Sequence, residues 1–303
     1  MEHEVIILGA GPAGLSAALW CADLGLEAVV FERRGEIGGQ LLWVNNPVHN
    51  HLGVRAANGR ELRDLFAAHA NQFQLDIRTS SPISNIELAS KRVALENGAT
   101  HRARFIIIAT GLRRRRLGIP GEHEFEGRGV FASATADLES FRGKRVCIVG
   151  GGDGAVENAL MLAAVGAHVT ILHRRSKLSA RRQFLERLRR EKSGIELLTE
   201  AEPRRIYGND VVAGLEIERQ GRRQSVEADA VLIRIGFEPN SELFRAALDT
   251  DARGYIRVNR ELETSVGDVF AVGDVSNPLA PTVSSAVGDG ATAAKVIASR
   301  VRV

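Results

Sequence analysis

Short continuous apolar runs, each closed by a glycine-rich turn, alternate in this chain with longer stretches of helical character. Val5-Ile6-Ile7-Leu8 is such a run and reads as a strand covered on both faces. It leads into Gly9-Ala10-Gly11-Pro12-Ala13-Gly14, then a helix from Leu15 to Leu24, and after Gly25 a second strand, Ala28 to Phe31, that ends in Glu32. The pattern recurs as Val146-Cys147-Ile148-Val149, the turn Gly150-Gly151-Gly152-Asp153-Gly154-Ala155, a helix from Val156 to Val165, and a strand from Val169 to Leu172. That second copy ends in His173-Arg174-Arg175, and Gly9 to Glu32 spans the same length as Gly150 to His173. The expected fold class is therefore α/β, with two Rossmann-like nucleotide-binding units in one register.

Each turn carries the chemistry of dinucleotide binding. Gly9 permits the tight turn, Gly11 lets the backbone approach a pyrophosphate, and Gly14 lets helix pack against strand; Gly150, Gly152 and the Asp153-Gly154-Ala155 helix start repeat the arrangement. Helix N-termini offer free N–H groups to phosphate, and Glu32 can accept from ribose hydroxyls. An acidic residue at the second strand end would repel a 2′-phosphate. Arg174 and Arg175 can instead grip one bidentately, beside His173, so the second site is expected to prefer NADPH to NADH. Two further apolar runs end in turns that complete the first site: Phe105 to Ala109 ends at Thr110-Gly111, and Val269 to Val272 ends at Gly273-Asp274, ahead of a helical stretch from Ser284 to Val301. Asp274 is thereby expected near the ribityl or pyrophosphate region of a flavin dinucleotide.

Composition narrows the class. The chain has 303 residues, enough for one large or two ordinary domains, and 44% hydrophobic with 25% charged residues is the balance of a soluble globular protein. No apolar run approaches the roughly 18 residues of a membrane span, and Met1-Glu2-His3-Glu4 leads directly into a strand, so a cytoplasmic protein with no membrane association is expected. Cys21 and Cys147 fall in a helix and a buried strand, which suggests packing residues rather than a disulfide or metal cluster. His49 and His51 have no further ligands clustered nearby, so no metal site is expected. Net charge is only +3, but basic residues bunch at Arg113 to Arg116 and between His173 and Lys192. Those runs could steer an acidic carrier protein, or form a solvated face that also attracts NADPH; two nucleotide fingerprints explain them more economically than nucleic acid binding.

Taken together, Gly9 to Gly14, Gly38-Gly39-Gln40-Leu41, Val48-His49-Asn50-His51-Leu52-Gly53, Ala109-Thr110-Gly111, Ile119-Pro120-Gly121-Glu122, Gly150 to Ala155, His173-Arg174-Arg175 and Gly273-Asp274 make the chain resemble the low-molecular-weight thioredoxin reductase superfamily along essentially its whole length. The resemblance implies two three-layer ββα domains, the second inserted in the first: a discontinuous FAD domain from 1–113 and 238–303, and an NADPH domain over 114–237. It also implies a homodimer, and places Gly39, Gln40, Leu41, Asn50, Thr110, Gly111, Gly273 and Asp274 along FAD, with Gly9, Gly11, Pro12, Ala13, Gly14 and Glu32.

One motif departs. Thioredoxin reductases carry Cys-Ala-Thr-Cys-Asp before the second fingerprint, and here the stretch is Ser133-Ala134-Thr135-Ala136-Asp137. A hydroxyl and a methyl can neither form nor attack a disulfide, so Ser133, Ala136 and Asp137 occupy a lost redox motif and no catalytic side chain is singled out. The following Leu138-Glu139-Ser140-Phe141-Arg142-Gly143-Lys144 looks more like the thioredoxin-reductase-like ferredoxin/flavodoxin–NADP⁺ reductases, which lack the pair naturally. Their C-terminal aromatic extension has no counterpart after Phe270, which leaves Trp43 as a candidate cover for the flavin. The expected activity is electron transfer from NADPH through FAD to an acidic carrier such as ferredoxin or flavodoxin. The alternatives are reduction of a small molecule such as a quinone or oxygen, and a non-catalytic FAD/NADPH sensor.

Overall fold

The structure is a computed structural model, described over residues 1–134, 137–191 and 194–301. In chain order its first elements are β1 (Glu2–Leu8), α1 (Pro12–Asp23), β2 (Ala28–Phe31), α2 (Gly59–Ala70), β3 (Asp76–Arg78), β4 (Ile83–Glu87), β5 (Arg92–Leu95), β6 (Thr100–Ile108) and β7 (Leu112–Arg114). The middle of the chain forms β8 (Val130–Phe131), β9 (Arg145–Gly150), α3 (Asp153–Ala164), β10 (His168–His173), α4 (Arg182–Arg190), β11 (Ile195–Thr199), β12 (Ala201–Gly208), β13 (Val212–Arg219), β14 (Arg222–Glu227), β15 (Ala230–Arg234) and β16 (Phe237–Pro239). The chain closes with β17 (Val269–Ala271) and α5 (Val283–Val301). These elements fold as two compact units, Met1–Arg113 with Glu238–Val303, and Arg114–Phe237.

In the first unit β3, β2, β1, β6 and β17 run parallel, while β4 and β5 form an antiparallel meander on the opening residues of β6. The period of two along each strand divides its side chains between two layers. Val5, Ile7, Phe105 and Ile107 pack beneath α1 and α5, against Ala17 and Ile297. Ile6, Leu8, Ile106 and Ile108 face the other way, onto Val93 and Leu95 of the meander. A strand so covered has to be apolar at every position, which is why the two runs carry no alternation. Helices α1 and α5 meet at Gly290, where a Cβ would come within 2.3 Å of the Ala13 carbonyl oxygen.

The second unit repeats the layering. Its parallel sheet has the order β11-β10-β9-β15-β8. Val146, Ile148 and Ile171 pack on Ala155, Ala159 and Leu162 of α3, whereas Cys147, Val149 and Val231 pack on Ile206, Leu215 and Ile217 of the antiparallel sheet β12-β13-β14. Both fingerprint helices begin three residues before their expected starts. Pro12 takes the first helical position of α1, where a missing N–H costs nothing, and Asp153 opens α3, where a carboxylate suits the helix dipole. Arg181 is the N-cap of α4, and Lys192 lies outside the described residues.

Candidate functional site

A cleft of about 440 Å³ opens in the first unit at the carboxyl ends of its parallel strands, a size ordinary for a cofactor site. Gly9, Gly11, Pro12 and Ala13 form one wall. Gly9 holds φ at +106°, and a Cβ on Gly14 would stand 1.9 Å from the Gly9 carbonyl oxygen, so α1 rests directly on the turn. Gly38 and Gly39, with φ of +117° and +55°, bring a second turn against the first: the Gly38 N–H donates to the Ala10 carbonyl at 2.8 Å, and a Cβ on Gly39 would be 3.1 Å from Gly11 Cα. Bare backbone on both sides is a cradle that side chains would fill, and it fits a pyrophosphate.

Glu32 is only 6% exposed, and its carboxylate has work before any ligand arrives. Oε2 accepts the Ala10 N–H at 2.8 Å and Oε1 the Arg34 N–H at 2.9 Å. It therefore ties the glycine turn to the end of β2, and each oxygen keeps a lone pair for a ribose hydroxyl. At the other wall Gln40 Nε2 donates to Asp274 Oδ2 at 2.7 Å. Burial pushes the Asp274 carboxyl up, the Gln40 hydrogen bond opposes this, and nearby Asp289 pushes it further. Asp289, itself raised by burial, accepts the Gly273 N–H at 3.1 Å.

Thr110 and Asn240 clamp each other: Thr110 Oγ1 donates to the Asn240 carbonyl and Asn240 Nδ2 to the Thr110 carbonyl, both at 2.7 Å. The Asn240 N–H also donates to the Gly111 carbonyl at 2.9 Å. Asn240 had no sequence signal of its own, because its partner Thr110 is far away along the chain. Asp289 lies in the closing stretch Ala286 to Ala291, which looks like thioredoxin reductase in sequence, but its contact with Gly273 had no local sign. Leu41 is buried in the cleft lining. Asn50 is not brought there: it is exposed, on a loop closed by the Val48–Ala56 bridge and by His51 bonded to Ser284 at 3.1 Å. Trp43 does line the cleft, but the Arg34 guanidinium sits 3.9 Å above its ring, which puts it beside the end of β2.

The second unit builds its turn differently. Gly150 has φ of +155°, and a Cβ on Gly151 would fall 2.4 Å from the His173 ring. His173 is thus wedged against the turn, with Nε2 placed 3.0 Å from the Lys177 carbonyl. Burial holds its pKa down, the Lys177 hydrogen bond opposes this, and Arg175 and Arg174 push it lower. A neutral, buried imidazole supports the loop, and the exposed Arg174 and Arg175 are left as the cationic groups at this strand end; among the described residues neither pairs with a carboxylate. Asp153 accepts the Arg181 backbone N–H at 2.7 Å and pairs with its guanidinium, so the loop after β10 is pinned to the first turn of α3. Gly152, Gly154 and Ala155 continue that first turn.

Along Ser133 to Asp137, the Ala134 N–H donates to Asn158 Oδ1 at 3.3 Å and Asp137 is exposed, while Thr135 and Ala136 lie outside the described residues. The chain's two thiols give no substitute. Cys21 and Cys147 are fully buried, and burial pushes each up to about 12, with Glu4 and Glu196 adding to it respectively. Among the described residues no cluster of His, Cys, Asp or Glu could hold a metal, and no helix is long and apolar enough to cross a membrane.

Two nucleotide folds with glycine turns at the carboxyl ends of their parallel strands define a dinucleotide-dependent oxidoreductase. The pyridine nucleotide-disulphide oxidoreductase family model matches residues 3–290, and the chain belongs to that family, in its thioredoxin-reductase-like branch. It is 36% identical over 296 residues to the thioredoxin reductase of Mycolicibacterium smegmatis, covering 96% of this chain and 94% of the relative. It is 33% identical to a 34.2 kDa protein in a rubredoxin operon of Clostridium pasteurianum, covering 97% and 95%. The crystal structure of Lactococcus lactis thioredoxin reductase superposes with a TM-score of 0.85 at 32% identity, covering 99% of each chain. FAD and NADPH are the cofactors of this group of proteins, and the bare glycine cradle of the first unit and the free arginines of the second fit them.

Proposed function

We propose that this protein is an NADPH-dependent flavin reductase that delivers electrons from FAD directly to a small redox protein such as ferredoxin or flavodoxin. In this reading Gly9 to Gly14, Glu32, Gly39 to Leu41, Thr110, Gly111, Gly273 and Asp274 hold FAD in the first unit. Gly150 to Ala155 with Arg174 and Arg175 hold NADPH in the second. FAD, when bound, supplies a centre that takes hydride from NADPH and can return electrons singly or in pairs. The side chains orient and stabilise: Gln40 and Asp274 address the ribityl region, Glu32 the adenosine ribose, and Arg174 and Arg175 the 2′-phosphate.

The observation that carries the proposal is the absence of usable sulfur. The chain has two cysteines, both buried, each with a thiol near 12, and Ser133 stands where a redox cysteine would. A thiol some five units above neutral pH offers almost no thiolate, so no dithiol relay can be built. The rubredoxin-operon relative supports an electron carrier as acceptor. Ion pairs neutralise part of the basic runs: Arg113 pairs with Glu238 and Glu242, and Arg116 with Glu126. On α4, Arg182 pairs with Glu186 and Arg187 with Glu191, so Arg189 and Arg190 are the guanidinium groups there best placed to meet an acidic carrier. We take the active form to be a homodimer; Leu52 and Leu279, 97% and 93% exposed, are apolar side chains that a partner subunit would cover.

Anaerobic stopped-flow absorbance tests this. NADPH should bleach the flavin band within seconds, and ferredoxin or flavodoxin should restore it, faster at low salt, while thioredoxin disulfide should not. Turnover of thioredoxin disulfide at an ordinary reductase rate would overturn the proposal.

A further inference from the structure

Arg234 is the last residue of β15, in register with Gly150 at the end of β9. Chain progression in this sheet runs from β9 to β10 on one side, while β15 and β8 lie on the other, so Arg234 stands at the switch point where a dinucleotide crosses the strand ends. Its Nη1 donates to the Ala132 carbonyl at 3.0 Å and its Nε to the Gly154 carbonyl at 3.3 Å. Nη2 would lie 3.0 Å from a Cβ on Gly154, so the guanidinium lies along the first turn of α3 with its Nη2 donors uncommitted to those carbonyls.

A second arginine accompanies it. Arg114 is partly buried, with its guanidinium 5.2 Å from the centre of the Phe237 ring. Burial and the nearby Arg234 charge lower its pKa to about 10. Arg234 is held low by burial, with Glu157 opposing only at a distance. Among the described residues neither guanidinium forms an ion pair with a carboxylate. Two partly desolvated like charges without a counterion are costly, and an anion placed between them and the glycine turn relieves that cost.

We infer that Arg234, assisted by Arg114, binds the pyrophosphate of the nicotinamide dinucleotide, a role separate from the 2′-phosphate recognition of Arg174 and Arg175. The inference rests on the assignment of NADPH to this unit. Because the pyrophosphate is common to both nicotinamide cofactors, this contact adds affinity without adding preference.

Calorimetric titration of the oxidised holoenzyme with NADP⁺, NAD⁺ and 2′-AMP separates the roles. Arg234→Met should weaken NADP⁺ and NAD⁺ by the same factor, about tenfold, and leave 2′-AMP and flavin content unchanged. Arg114→Met, which touches neither the Ala132 nor the Gly154 carbonyl, should weaken both dinucleotides by a smaller common factor. Unchanged NADP⁺ binding in both variants, or a loss for 2′-AMP as large as for NADP⁺, would overturn the inference. The Arg174→Ala/Arg175→Ala double variant is the independent control: if it fails to weaken 2′-AMP, the assignment of this unit to NADPH fails instead.

Discussion

The two glycine turns follow one plan and part company at two places, and the contrast separates what holds a dinucleotide from what selects it. At the third position of the fingerprint the first unit has Gly14, with no room for a methyl, and the second has Ala155, whose methyl is already buried between helix and sheet. At the strand end the first unit has Glu32, which accepts from Ala10 N–H, and the second has His173, whose ring packs on Gly151. In both units the strand-end residue buttresses the turn. Only in the first does that residue also carry a charge suited to a ribose; in the second, the charges proposed to discriminate between nicotinamide cofactors lie one and two positions further, at Arg174 and Arg175.

The largest effect should come from exchanging the third position. Gly14→Ala forces a Cβ into the Gly9 carbonyl and should cost about 3 kcal/mol or more, seen as loss of bound flavin and of soluble protein. Ala155→Gly should cost only about 1 kcal/mol, from helix propensity and a lost methyl contact, and leave flavin content intact. Equal tolerance of the two changes would mean the helices rest on their turns alike.

Next in size is the strand end. Replacing Arg174 and Arg175 together by Ala should raise the KM for NADPH about tenfold or more and that for NADH by less than about twofold. Steady-state kinetics with both cofactors checks this, and a parallel rise in both would remove the charge contrast between the units.

The smallest effect concerns His173. Its pKa is lowered from 6.5 in the folded protein, so the unfolded chain takes up a proton at a higher pH than the folded one. Its contribution is complete above about pH 6.5 and is lost as pH falls through the lower folded value. The Tm should therefore decline on acidification from pH 7.5 to 5.5. His173→Gln, which keeps an N–H for the Lys177 carbonyl, should flatten part of that decline; identical slopes would refute a neutral buried imidazole.

Sequence patterning carried the α/β architecture well, and for a physical reason. Strands such as Val5 to Leu8 and Val146 to Val149 are covered on both faces, so every position had to be apolar and each run stood out. The turn glycines were legible because backbone geometry and close approach leave few alternatives at Gly9 and Gly14. Side chains that act through distant partners were not. Asn240 gives no local sign that it will clamp Thr110, nor Arg234 that it will reach back to Gly154 and Ala132, since those contacts exist only once the sheets have formed. Asn50 illustrates the converse: a motif can match while its loop, fastened through His51 to Ser284, stands outside the cleft.

The burial of Cys21 and Cys147 bears on durability as well as on electron flow. Reductases that work through an exposed thiolate can be silenced by whatever captures sulfur: peroxide, alkylating agents, soft metals. Thiols that are protonated and sealed in a helix and a central strand, as Cys21 and Cys147 are, offer those poisons no foothold. The proposed electron path, which uses no thiol, would keep working where thiol-based reduction has already failed.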